Sequence, residues 1–560
     1  METKEVLVLV ILYLSCLYLW TLPIQKNRMP FAEPDGINFF GLADWMAQND
    51  QPIWILPHHY LWRYGNTHVN PTKPEIIWYP PPYHTNLALM QIIGGDRILP
   101  IYIFLAITNS LVILTIYFLL RKLFGFWSAI LASLMLIFSL RDYMTHLWGQ
   151  WPTILSFSFI PLILYCYYRY TSSYLDGKEK KIYAYILPFI MVSQFLIHPV
   201  GTFNAVLFLI VFSILLVIKY QKFPFSLKTI IIVSLAFLFL AFVLDPVHFT
   251  DFVTKSGASD KALDFNNLLH FSKFFESGYP LFWFEFNRTI GPWWVIPFLL
   301  VGIGFLLFRR KQQDLLLLSW LLGLYIFLQF LMYHNIGRYV RNIIEIAHIF
   351  YPLIAIGIVY LFSFFRIPYK KYAKLGLILI FAILIINSNG KAAYETLRGA
   401  YGGPLQRINR HQYEAAEWMN KNLELEDDIF DVFTWLIVRD LNNIIWIQTI
   451  AQRHIRGVKL PWQNTTLEGK DEFQHDANYV LVDYSKLVIA NAMAEINKMQ
   501  EWEKTFLQNE TLVYDKNNIR IYGLSDSWYL DRERDNFLNM YGEDTRTFKG
   551  TKVFKQKWAN

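Results

Sequence analysis

Cysteine is nearly missing: the 560 residues hold two, Cys16 and Cys166, each inside an apolar run. That argues against a disulfide framework, a cysteine-built metal site or a thiol nucleophile, and both read as small core residues. Charge is scarce as well, at 17% against 54% hydrophobic and 18% aromatic, which is too apolar for an ordinary soluble enzyme. The formal net charge of +7 is not gathered into one patch but scattered among short loops, so no nucleic-acid partner is expected. The chain also has no phosphate-binding P-loop, no dinucleotide fingerprint and no Gly-x-Ser-x-Gly.

What is present in quantity is long apolar sequence. The first run, residues 6–24, is long enough to cross a bilayer core of about 30 Å, and no small-x-small cleavage site follows it, so it reads as an uncleaved anchor. Further runs fall near 98–120, 126–140, 152–168, 182–197, 203–219, 229–244, 292–308, 315–333, 343–364 and 375–387. Together they make a polytopic α-helical membrane protein of about eleven transmembrane helices. With a cytoplasmic N-terminus, the inward loops carry Arg121 and Lys122, then Lys178, Lys180 and Lys181, then Lys219 and Lys222, then Arg309, Arg310 and Lys311. The short outward loops hold little beyond Arg141, Arg338 and Arg341, and this asymmetry recurs along the chain. It sets a multi-pass cell-membrane protein with residues 25–97, 245–290 and everything after 388 outside. Residues 1–387 form the membrane domain with its long first outer loop, and 388–560 a separate extracytoplasmic domain.

The polar residues that could carry chemistry collect at outer ends. In the first outer loop, Phe39, Leu42, Ala43 and Met46 fall at i, i+3, i+4 and i+7, which predicts a helix over 36–48 with one face on lipid or protein. Asp35 stands at its start, either as an N-cap or as a functional acid, with Glu33 two residues before it across Pro34. Further along, Pro80, Pro81 and Pro82 predict an extended brace followed by a short helix over 86–91. The second outer turn packs Arg141, Asp142 and His146 together. The third places His198 beside Pro199, in a structural role or facing an outward cavity. Arg338 and Arg341, three apart on one helix face, suit a phosphate held by two guanidinium groups, or else anchor the helix at the interface, one of them paired with Glu345.

After residue 387 the composition turns mixed and charged. A helix over 411–423 with Ala415, Ala416 and Met419 inward, a strand over 479–483, a helix over 486–499 and a hairpin at 511–522 turning at 515–518 predict a small α/β domain, a cover or binding module.

Several of these features resemble the GT-C superfamily of membrane glycosyltransferases. They are an N-in first span, a long outer loop opening with an acid before a helix, a Tyr-Pro-Pro element at Tyr79, Pro80 and Pro81, a polar second outer turn, a late outer arginine and an outer C-terminal domain. Oligosaccharyltransferase catalytic subunits and the mannosyl- and aminoarabinosyltransferases share that layout. The tail lacks the Trp-Trp-Asp signature of the oligosaccharyltransferases, which argues against transfer to asparagine. The resemblance implies inverting transfer of a hexose or pentose from a polyprenyl-phosphate donor to a glycan, lipid or protein acceptor on the outer side. Asp35 matches the family's catalytic acid and would act as general base, with Glu33 helping to orient the site. Arg338 or Arg341 would bind the donor phosphate, with His198 a further candidate for the donor site. A divalent ion such as Mg or Mn would be held by Asp35, Asp142 and His146, although an Asp-x-Asp is missing there. The rival reading is a transporter or flippase of a lipid-linked saccharide or small solute. Against it, ionisable residues gather at outer ends and not near mid-span.

Overall fold

The computed structural model describes residues 3–25, 28–32, 34–49, 80–250, 286–328, 343–364, 370–399, 408–424, 427–433, 441–456 and 477–528. The chain opens with α1 (Thr3–Gln25) and α2 (Pro34–Asn49), followed by α3 (Pro81–Gly94). Next come α4 (Leu99–Asn109), α5 (Leu111–Leu123), α6 (Phe126–Ile137), α7 (Leu140–Leu147), α8 (Trp151–Ser158), α9 (Ile160–Leu175), α10 (Ile182–Ile197), α11 (Pro199–Tyr220) and α12 (Leu227–Leu244). The apolar series ends with α13 (Ile296–Arg309), α14 (Gln312–Ile326), α15 (Ile344–Phe364) and α16 (Lys370–Ile385), and α17 (Lys391–Gly399) follows. Two compact units result: Met1–Gln25, Trp78–Met90 and Leu99–Gly399 form the first, and Lys26–Ile77, Gln91–Ile98 and Ala400–Asn560 the second.

The first unit is helical, with helices at each of the apolar runs. Among the described residues, six stretches are long and apolar enough to cross a membrane: Glu5–Gln25, Leu99–Leu123, Trp151–Leu175, Pro199–Tyr220, Leu227–Leu244 and Ile344–Leu361. The pair α6 and α7, bent by 41°, makes a seventh if taken as one broken span. Burial separates centre from rim: 83% of the α15 span is enclosed by protein but only 17% of α12, whose Leu235 and Phe239 are exposed as lipid-facing side chains would be. At the centre α13 and α15 cross backbone to backbone, since a Cβ on Gly302 would fall 2.1 Å from the Leu353 carbonyl oxygen.

Contacts between loops gather the basic residues at one end of this unit. Arg121 on α5 donates to Glu5 on α1 at 2.6 Å, and Gln313 donates to the Leu123 carbonyl at 2.8 Å. Lys219 donates to the Arg310 carbonyl, and the Arg309 guanidinium lies 5.4 Å from the Phe124 ring centre. Helices leaving that end carry α7, His198 and the start of α15 at the other.

The second unit carries the sheet. Strands β1 (Asp428–Asp431), β2 (His454–Arg456), β3 (Ala477–Asp483), β4 (Thr511–Lys516) and β5 (Ile519–Trp528) are ordered β2-β1-β3-β5-β4. β1 pairs in parallel with β2 and β3, and β5 is antiparallel to β3 and β4. Val480, Leu481 and Val482 of β3 are all buried, as befits a strand covered on both faces. Helices α18 (Arg410–Asn422), α19 (Leu441–Ala451), α20 (Ser485–Ile489) and α21 (Met493–Phe506) complete the unit. Ala415, Ala416 and Met419 of α18 point inward as the spacing predicts.

Two local expectations are corrected. The proline element is not an extended brace, because α3 begins at Pro81; proline's missing N–H and fixed φ suit a first helical turn. The helix expected over 486–499 is two. Asn491 takes φ +53°, with Ala492 N–H donating to the Leu487 carbonyl at 2.9 Å and Asn491 N–H to that of Val488 at 3.1 Å, the hydrogen bonds of a Schellman stop.

Candidate functional site

Helix α2 brings the first candidate. Its first turn holds Pro34 and Asp35, so Asp35 lies inside the helix, one residue past the start, and not at the N-cap position weighed from the sequence. The side chain of Asp35 is half-buried, near the end of the helix where the backbone dipole favours negative charge. Glu33 lies outside the described residues.

The predicted inward face of α2 is buried in full: Phe39, Leu42, Ala43 and Met46, joined by Ile37 and Phe40. Its neighbour in the second unit is α19, where the Trp446 ring meets Phe40 edge-on at 5.4 Å and donates from Nε1 to the Ala32 carbonyl at 3.3 Å. Farther along α2, Asp44 is fully buried and paired with Arg97, at 2.6 Å between Oδ2 and Nη2 and 3.0 Å between Oδ1 and Nε. Burial works against the Arg97 charge, but the Asp44 charge and its hydrogen bonds outweigh that and hold the Arg97 pKa above its ordinary value.

In the first unit, α7 carries Asp142 and His146 one turn apart, both buried, but their partners differ. Asp142 Oδ1 meets His348 Nε2 of α15 at 2.8 Å, and its Oδ2 is hydrogen-bonded to the Ser139 hydroxyl that caps α7. His146 sets Nδ1 3.3 Å from Asn109 Nδ2 and packs on Trp20 at 4.8 Å between ring centres. Arg141 lies over Trp148 at 5.0 Å. Among the described residues no three His, Cys, Asp or Glu side chains are grouped to hold a metal ion. Both Asp142 oxygens and His146 Nδ1 are engaged in protein hydrogen bonds in this arrangement.

His198 takes the structural role: it caps α11, its Nδ1 accepting from Val200 N–H at 3.2 Å. Arg338 and Arg341 lie outside the described residues. Glu345, considered as a partner for Arg341, accepts from Asn204 at 2.7 Å and from the Trp320 indole at 3.0 Å. Sequence reasoning missed His348 and the Asp44–Arg97 pair. The one available signal for His348 was its place three residues after Glu345, on the same helix face.

The fold is that of the solved oligosaccharyltransferase and ArnT structures, the layout that the sequence resembles. The archaeal oligosaccharyltransferase AglB from Archaeoglobus fulgidus, in complex with an inhibitory peptide and a dolichol-phosphate, aligns with a TM-score of 0.56 at 14% identity, over 94% of this chain and 74% of its own. The A. fulgidus oligosaccharyltransferase in complex with Zn and sulfate gives 0.55 at 15% identity, over 92% and 73%. ArnT from Cupriavidus metallidurans bound to undecaprenyl phosphate gives 0.52 at 11% identity, over 92% and 98%. At such identities the likeness is one of fold. No curated protein matches by sequence. The chain belongs to a family of unknown function, DUF6541, whose model matches residues 59–341.

Proposed function

We propose that the protein is an integral-membrane glycosyltransferase that moves a sugar from a polyprenyl-phosphate donor to a glycan, lipid or protein acceptor on the outer face of the cell membrane. The observation that carries this reading is the GT-C fold with a reachable acid, Asp35, in the first turn of the helix after the first span. Asp44, the buried carboxylate nearest to it along the chain, is fully enclosed, whereas Asp35 is half-buried, which leaves it within reach of an acceptor hydroxyl.

In this mechanism the Asp35 carboxylate takes the proton of the acceptor hydroxyl as its oxygen attacks the anomeric carbon. The bond to the polyprenyl phosphate breaks on the opposite side, so the sugar is inverted. The leaving phosphate calls for positive charge, which Arg338 or Arg341 would supply, with His198 a further candidate for the donor site and Glu33 orienting the acceptor. The N-terminus is cytoplasmic and the sheet-bearing unit extracytoplasmic, following the basic loops. The placement of buried acids in the first unit weighs against transport: Glu5, Asp142, Asp245, Asp314 and Glu345 each lie in a helix first turn or cap, not at mid-span.

Proteoliposomes carrying a radiolabelled polyprenyl-phosphate sugar provide the test. Asp35→Asn keeps a short side chain at the helix start and should melt like the parent, yet transfer sugar at least about a hundredfold more slowly. Parental turnover in that variant would remove Asp35 from the mechanism and turn attention to Glu33 and Asp142.

A further inference from the structure

We infer that the buried Asp44–Arg97 pair is a positioning device that sets the rotation and height of α2 and so aims Asp35; this rests on Asp35 being the general base. The carboxylate of Asp44 accepts five hydrogen bonds. Two come from the Arg97 fork, at 3.0 and 2.6 Å. The others come from Gln91 at 3.2 Å, Gln48 at 3.1 Å and Gln452 at 3.2 Å. Arg97 also donates to the Ile450 carbonyl at 3.0 Å and lies 3.5 Å from Glu417. Asn420 of α18 closes the network, donating to Gln48 at 3.2 Å and to the same Ile450 carbonyl at 3.1 Å. Three separate stretches of the second unit therefore meet on one carboxylate, α2, residues 91–98 and the residue that follows α19, and α18 joins the network through Gln48, Arg97 and the Ile450 carbonyl.

So many donors on a fully buried carboxylate leave it little capacity to accept a proton from a substrate. Stability alone also explains the pair poorly, because a buried ion pair often does no better than apolar side chains of the same volume. What a two-pronged guanidinium–carboxylate contact adds is a single allowed geometry. The edge-on contact of Phe40 with Trp446 of α19 does not by itself prevent α2 from rolling or sliding; the fork does. Asp35 is nine residues earlier on the same rigid helix, about 13 Å along its axis, and the Trp446 bond to Ala32 holds the chain entering it. A misplacement of about 1 Å in a reacting group can cost about a hundredfold in rate.

Arg97→Lys keeps the charge but loses the fork, and Asp44→Asn keeps the shape but loses the charge. With radiolabelled mannosyl polyprenyl phosphate as donor, each should lower kcat at least about tenfold and leave the donor KM within about twofold. Amide exchange across residues 36–48 should accelerate in both. Combined with Asp35→Asn, neither should add to the loss that Asp35→Asn causes alone, because a residue acting through Asp35 has nothing left to position. Parental kcat in Arg97→Lys and Asp44→Asn, with Asp35→Asn inactive, overturns the inference and leaves the general base in place. Losses that multiply in the double variants also overturn it, making the pair only a stabilising contact. A fully active Asp35→Asn is a distinct result that removes the base itself. If Asp44→Asn fails to fold, Arg97→Lys carries the same comparisons.

Discussion

Asp142 and His348 show what one contact can demand of two buried side chains. Both are about 1% exposed, and the carboxylate divides its oxygens between the imidazole and the Ser139 hydroxyl. Deleting the imidazole leaves a buried oxygen without that partner, at about 1–3 kcal/mol, and also empties the volume of the ring. Deleting the Ser139 hydroxyl takes the partner from the other oxygen and removes a helix cap, about 1 kcal/mol, but opens no space comparable to a ring. His348→Ala should therefore lower the melting temperature in detergent clearly more than Ser139→Ala; equal shifts would mean that the imidazole contributes little to the pair. At this scale the sequence is legible where a residue acts on its own neighbours. The buried stripe of Phe39, Leu42, Ala43 and Met46 follows from spacing within one turn or two, whereas Asp35 falls one residue inside the helix and not at its cap. His348 could not be paired with Asp142 in advance, because 206 residues separate them. Arg97 lies 53 residues from Asp44 and shares no periodic pattern with it.

Elements were easier to locate than to join. Apolar runs mark helices because a span must satisfy its backbone internally, and β3 is a buried strand where aliphatic and aromatic residues cluster. The turn of the hairpin is tighter than its expected four residues: Asn517 and Asn518, at φ +55° and +64°, make the two-residue loop that joins β4 to β5. Composition does not say which glycine marks a helix crossing. In α13, a Cβ on Gly304 would meet nothing within 4 Å, whereas on α15 a Cβ at Gly357 would fall 1.9 Å from the Phe298 carbonyl oxygen. The same substitution should thus act in opposite directions. Gly304→Ala removes the entropy cost of a helical glycine and should be neutral or stabilising by up to about 1 kcal/mol. Gly357→Ala must push α13 and α15 apart and should lower the melting temperature in detergent; a parental melt for Gly357→Ala would show that the two backbones do not meet there.

For the whole molecule, the composition of the second unit constrains how the chain crosses the membrane. That unit unites Lys26–Ile77 and Gln91–Ile98 with Ala400–Asn560, so the chain leaves it after Ile98 and returns by Ala400. A unit with exposed polar residues on one side of a bilayer requires an even number of crossings in between. Among the described residues, the spans that meet the length criterion after α1 number five, or six with the bent pair α6 and α7. Five is odd, which favours counting the bent pair as a crossing. Adding the shorter apolar helices at Ile182–Ile197 and Trp293–Arg309, with α14 and α16, makes ten, again even, and eleven with α1. The proposed orientation, with the basic loops inside, has the second unit outside. Cysteines placed at Asn49 and Asn517, both exposed, should then react with an impermeant maleimide applied to intact cells, while one at Gln221, after α11, should react only once the membrane is opened. Cys16 and Cys166 are replaced first so that they give no background. Labelling of Asn49 and Asn517 from opposite sides would mean an odd number of crossings and would break the second unit in two. Labelling of both from the cytoplasmic side would keep the parity but invert the orientation, moving Asp35 away from an outward-facing acceptor and with it the proposed transfer.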